Sequence, residues 1–101
     1  MQFLVLGYDG KDEQAPERRA AARPEHLALA EKMKGEGKLL YAAAILDEAG
    51  AMSGSMMVCE FENRKQVDEW FEQEPYVVGK VWQKIEVSDC KVAPIFAALR
   101  A

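Results

Sequence analysis

KLLYAAAILDEAGAMSGSMMVCEFE, residues 38–62, is the stretch that decides the fold. Two apolar runs, Lys38–Asp47 and Met52–Glu62, flank Glu48-Ala49-Gly50-Ala51. A connection that short predicts an antiparallel hairpin. On its N-terminal side, residues 17–36 are rich in Ala, Leu, Glu, Lys and Arg, the good helix formers. Pro24 interrupts them, and a proline disfavours helical geometry at the preceding residue while suiting a first turn. The pattern therefore predicts a short helical segment near 17–22, a break at Arg23, and a main helix from Pro24 to about Glu36. Gly35 and Gly37 supply the stop. On the other side, Asn63 caps a helix over RKQVDEWFEQE, residues 64–74, in which Val67, Trp70 and Phe71 recur at helical spacing. Glu74-Pro75-Tyr76 closes that helix and starts a short turn or coil.

The outermost elements are strands. Gln2–Tyr8 is rich in strand formers and ends at the turn signal Asp9-Gly10, followed by a polar loop over 10–16. Val81–Val92 contains the last strand, with Ile85 and Val87 on one face. The order β-α-β-β-α-β predicts an α+β fold of the ferredoxin-like type. Two right-handed crossovers share the hairpin and build a four-stranded antiparallel sheet with both helices on one face. Phe3/Val5 and Leu4/Leu6/Tyr8 make both faces of the first strand apolar, so the uncovered sheet face needs a cover. A second copy of the same sheet is the simplest one, which predicts a homodimer. The apolar tail APIFAALRA, residues 93–101, is expected to pack as well, on the partner subunit if not on its own.

The chain has 101 residues, enough for one domain over 1–101 and too few for two. Half the residues are hydrophobic and 30% charged, the balance of a folded globular protein. Thirteen Lys and Arg lie scattered among seventeen acids, for a net charge of −4, which argues against a nucleic-acid partner. No run approaches the roughly 20 apolar residues that span a bilayer, and MQFLVLGYDG lacks the basic segment of a signal peptide. No membrane partner and a cytoplasmic location are the default expectations. Cys59 and Cys90 have neither metal-knuckle nor redox spacing and read as small strand hydrophobes.

The one histidine, His26, has Leu29, Ala30 and Met33 at i+3, i+4 and i+7, so it shares their apolar stripe and points inward or to a pocket edge. Burial and the positive end of a helix starting at Pro24 both disfavour its charged form, leaving the neutral imidazole that a general base requires. The same pattern also fits a satisfied core histidine with no chemical role. A base needs an orienting carboxylate, for which Glu74 comes first, ahead of Asp9, Glu25 and Asp47, unless Glu74 is a solvated helix-end acid. Arg23 is placed to bind an anionic ligand, or to pair with a surface acid. Tyr76 is placed to donate a hydrogen bond or to pack. Gly54-Ser55 marks a close backbone approach or a bulge, with Ser55 facing a ligand. No nucleophile triad, metal cluster, phosphate loop or dinucleotide fingerprint is present, so no cofactor and no metal are expected.

Arg23-Pro24-x-His26-Leu27, Glu36-Gly37-x-Leu39-Leu40, Gly54-Ser55, Glu60-Phe61-Glu62, Trp70 and Glu74-Pro75-Tyr76-Val77 together resemble the YCII-related (YciI-like) family, in order and spacing, over nearly the whole chain. The resemblance implies a dimeric α/β-barrel arrangement of the ferredoxin-like fold. It also implies a His-Asp pair in a pocket, with His26 as the histidine and Glu74 at the position of the family's aspartate. That exchange keeps the charge and adds a methylene. One relative of the family removes chloride from a chlorinated hydroxyhydroquinone. Two readings follow. In the first, a cofactor-independent enzyme uses His26 and Glu74 for proton transfer on a small anionic or phenolic substrate held by Arg23, Ser55 and Tyr76. In the second, a non-catalytic module binds a small molecule in the same pocket.

Overall fold

The computed structural model describes residues 1–96. Four strands, β1 (Gln2–Asp9), β2 (Leu39–Leu46), β3 (Met52–Glu60) and β4 (Trp82–Cys90), form one sheet in the order β2-β3-β1-β4. Every neighbouring pair is antiparallel. Three helices, α1 (Ala15–Gly35), α2 (Arg64–Phe71) and α3 (Pro75–Val78), complete the α+β ferredoxin-like arrangement. The residues of the expected tail beyond 96 lie outside the described residues; Ile95 and Phe96, just before them, are exposed.

The hairpin forms as its sequence predicts. Asp47 Oδ1 accepts from the backbone N–H groups of Ala49 and Ala51 at 2.9 and 3.0 Å, and Gly50 takes the left-handed φ of 84° that the turn needs. β3 ends at Glu60, two residues earlier than its apolar run. The Phe61 N–H bonds the carbonyl of Met1, and the Glu62 N–H bonds the side chain of Gln66, so the chain has turned toward α2. Asn63 caps α2 by accepting from the Gln66 N–H at 3.0 Å. α2 stops at Phe71, also short of the pattern, and Glu74 becomes the N-cap of α3.

The largest departure is in α1. No break occurs at Arg23: a single helix runs from Ala15, just before Pro16, through Pro24 to Gly35. Pro24 removes the bond that would have reached the Ala20 carbonyl. Both Ala20 and Pro24 are exposed, so water can satisfy that carbonyl. Packing of the opposite face then holds the helix straight through the interruption. Gly37, with φ of 75°, provides the left-handed stop, and the Lys38 N–H closes it on the Met33 carbonyl at 2.8 Å.

The core lies between the helices and one face of the sheet. Phe3, Val5, Met57 and Cys59 contribute from the strands, with Met33, Val67, Trp70 and Tyr76 from the helices. Each large apolar side chain fully buried there contributes roughly 1.5–3 kcal/mol. Gly7 continues the β1 row, and a Cβ there would stand 2.3 Å from the Trp82 ring. Its absence lets the indole lie flat on the sheet, under the site described next. On the other face Leu4, Leu6, Met56 and Val58 are only half-buried and Tyr41 is exposed.

Candidate functional site

Continuity of α1 decides what the site contains. Ala15, Arg19, His26 and Met33 are its buried residues. Arg19, His26 and Met33 are seven apart, hence two turns apart on one stripe facing the sheet. His26 stands about three turns inside the helix, so the dipole argument made for a helix beginning at Pro24 does not apply to it. Its burial, with the residue 8% exposed, remains.

Glu74 is fully buried and surrounded by donors. Its Oε1 is hydrogen-bonded to Nδ1 of His26 and accepts the Tyr76 N–H at 3.2 Å. Its Oε2 accepts the Trp70 indole N–H at 3.1 Å. An ionised carboxylate only accepts, and its two fixed donors, the Trp70 indole N–H and the Tyr76 N–H, fit that state. The proton between the ring and Glu74 then sits on Nδ1, which makes Nε2 the ring's basic nitrogen. The Tyr76 ring stacks on the imidazole at 3.8 Å and 10°, and Trp82 meets both rings edge-on. Burial raises the Tyr76 hydroxyl above the ordinary phenol range, an effect opposed by the nearby Arg19 and Arg23 charges.

A second buried pair lies two turns earlier. Arg19 Nη1 donates to both carboxylate oxygens of Asp9 at 3.0 Å, with side chains 9% and 6% exposed. Its Nη2 donates to the Gly54 carbonyl and to Ser55 Oγ, each at 3.2 Å. Ser55 Oγ also accepts the Trp82 indole N–H at 3.3 Å. The Arg19 guanidinium lies 4.8 Å from the centre of the Tyr76 ring. Tyr76 therefore fills the gap between the two buried residues of the stripe.

Between α1 and the β2–β3 hairpin is a cavity of about 170 Å³. His26, Tyr76 and Ser55 line it, Arg23 and the half-exposed Leu27 stand at its mouth, and Ala42 and Ala44 form a wall of small side chains. The structure thus brings together His26, Glu74, Arg23, Ser55 and Tyr76, with Glu74 behind the imidazole. Arg23 is exposed, and among the described residues its side chain makes a polar contact from Nη1 to the Met52 sulfur at 3.6 Å. Of the weaker carboxylates, Asp9 serves Arg19, Asp47 serves the hairpin turn, and Glu25 is exposed. The sequence pattern marks neither Arg19 nor Trp82, and it shows Trp70 only as a core position, not as a donor to Glu74. Arg19 was legible as His26 minus seven, had the helix been read as continuous.

Cys59 is fully buried in the core, where burial first, and then the Glu74 charge, push its thiol up to about 12; this is no nucleophile. Cys90 is half-buried, and both thiols are free. Among the described residues no cluster of three or more His, Cys, Asp or Glu is placed to hold a metal ion. No helix there is long and apolar enough to cross a membrane.

Residues 1–91 match the YCII-related domain. The chain belongs to the YCII-related family. Among its family relatives, protein YciI of Escherichia coli is 31% identical over 97 residues, covering 90% of this chain and 97% of that protein. An uncharacterized protein of Haemophilus influenzae is 35% identical over 81 residues, covering 74% and 83%. In three dimensions the chain resembles the 5-chloro-2-hydroxyhydroquinone dehydrochlorinase TftG of Burkholderia phenoliruptrix, solved with 2,5-dihydroxybenzoquinone. The TM-score is 0.79 over 92% of this chain and 96% of that one. At 22% identity this is a likeness of fold.

Proposed function

We propose that this YCII-related protein is an enzyme that moves a proton on a small anionic or phenolic substrate without a cofactor. The observation that carries the reading is the buried His26–Glu74 pair, whose unbonded ring nitrogen belongs to a side chain lining a cavity. Nε2 takes a proton from a substrate O–H or C–H, and Glu74 stabilises the resulting imidazolium through Nδ1. The same proton then returns to another substrate atom, which isomerises it, or accompanies a departing anion, which completes an elimination. Arg23 supplies positive charge at the mouth. A cavity of about 150 Å³ accepts benzene, so the space beside His26 suits a single ring. The dehydrochlorinase that shares the fold acts on such a ring, by its name, which supports a phenolic class.

The test is exchange of C–H protons into D₂O, followed by NMR on a panel of phenols, hydroxyquinones and small keto acids, together with chloride release from chlorinated hydroquinones. His26→Gln should slow the reaction by about 10²–10⁴-fold with ligand affinity kept. Equal rates in the two proteins would end the enzyme reading and leave a binding module.

The same reading includes a homodimer formed through the open sheet face. Leu4, Leu6, Met56, Val58 and Tyr41 present a continuous apolar surface there, which supports a second copy as its cover. Sedimentation should give a dimer for the wild type and a monomer for Leu6→Lys; a monomeric wild type refutes it.

A further inference from the structure

We propose that Ser55 is a specificity-determining residue whose hydroxyl is locked as a hydrogen-bond donor toward the ligand, with Arg19 and Trp82 as the residues that lock it. A serine hydroxyl has two acceptor lone pairs and one donor proton. Its partners here are the Arg19 guanidinium at 3.2 Å and the Trp82 indole N–H at 3.3 Å. Neither has an acceptor to offer. Both lone pairs are therefore spent, and the proton is the only capacity left. Among the described residues nothing accepts it, although Ser55 is 5% exposed. A buried donor without a partner carries a cost that a ligand acceptor removes, and Ser55 lines the cavity that holds His26.

The lock is built deeply. Arg19 is held by Asp9 and the Gly54 carbonyl, so its Nη2 cannot swing away from Ser55 without breaking a buried ion pair. Trp82 lies on Gly7, where any side chain would displace it. The two sides of the cavity then have opposite polarity. His26 Nε2 accepts, and Ser55 donates. A ligand that satisfies both carries an O–H for the imidazole and an acceptor oxygen, carbonyl or oxyanion, for Ser55. This rests on the reading that the cavity takes a small ligand, and not on turnover.

Two probes of equal shape isolate the acceptor: 4-hydroxybenzaldehyde, and 4-vinylphenol, in which CH₂ replaces the carbonyl oxygen. Dissociation constants are measured by NMR titration for the wild type, Ser55→Ala and Trp82→Phe, with amide fingerprints confirming the fold of each. The wild type should prefer the aldehyde, and Ser55→Ala should lower that preference about tenfold, the worth of one hydrogen bond. Trp82→Phe, which keeps Ser55 but frees a lone pair and lets the hydroxyl turn, should lower it too. The Trp82 indole N–H resonance should shift in Ser55→Ala as its acceptor disappears. A preference unchanged in Ser55→Ala overturns the proposal, as does one that survives intact in Trp82→Phe, or failure of the aldehyde to bind the wild type. Unchanged turnover in His26→Gln would remove the enzyme reading and leave this result standing.

Discussion

Arg19 and His26 occupy the same stripe of α1, two turns apart, and each meets a buried carboxylate. The Arg19–Asp9 pair is permanently charged, and each Nη atom makes two contacts, to a carboxylate, a carbonyl and a hydroxyl. In the His26–Glu74 pair the carboxylate engages Nδ1, and the other ring nitrogen is unspent. Burial is nearly equal in the two, so burial does not distinguish scaffold from chemistry. The kind of capacity left over does: Arg19 Nε is a buried donor without a partner among the described residues, whereas the unbonded ring nitrogen of His26 is a base beside a cavity. Glu74 and Ser55 each also accept from a tryptophan indole, and the chain's two tryptophans are both used in this way.

The sharpest way to break the comparison is Asp9→Ala. If Arg19 is scaffold, removing its partner strands a buried charge and costs roughly 3–5 kcal/mol of stability by urea denaturation. A loss below about 1 kcal/mol would mean that the pair is solvated and the contrast false.

A pH series sharpens the other half through Cys59, whose thiol feels the Glu74 charge. In the unfolded chain the thiol ionises from about pH 9, whereas in the fold it holds its proton to about 12. Between those values the native state binds more protons, so unfolding free energy falls as pH rises, by up to about 1.4 kcal/mol per pH unit. Cys59→Val should remove that part of the alkaline limb, and an unchanged limb would count against the burial described here.

Arg23→Ala should have the smallest effect. It is exposed and outside both pairs, so stability should stay within about 0.5 kcal/mol. Affinity for 4-hydroxybenzoate should weaken by about 1 kcal/mol or less, and less still at high salt. A large stability loss would place Arg23 with the scaffold.

Much of this was legible in the chain. The hairpin over 38–62, the Asn63 cap and the element order needed only local pattern, and they fix the sheet. His26 and Glu74 were legible because a lone imidazole on an apolar stripe and a carboxylate before Pro75 are unusual placements. Arg19 was hidden by Pro24: a helix broken at Arg23 puts Arg19 and His26 on separate segments, and their common face vanishes. Local propensity favoured the break, and tertiary packing on the buried side overruled it. Trp70 and Trp82 look like ordinary core from sequence, since a donor's target depends on contacts that no periodicity encodes.

The strand order has a consequence for how the protein comes into being. β1 is synthesised first yet lies at the centre of the sheet, between β3 and β4. Its pairing with β4 joins Gln2 to Cys90, nearly the length of the described chain. Contacts so distant in sequence slow folding, because the loop must close before they form. On the ribosome β1 waits until residues 82–90 have emerged, and Trp82, the first residue of that last strand, arrives at the site with it. The pocket is therefore among the last parts of the molecule to exist, and a nascent chain stalled before Trp82 would carry His26 and Glu74 with no floor beneath them.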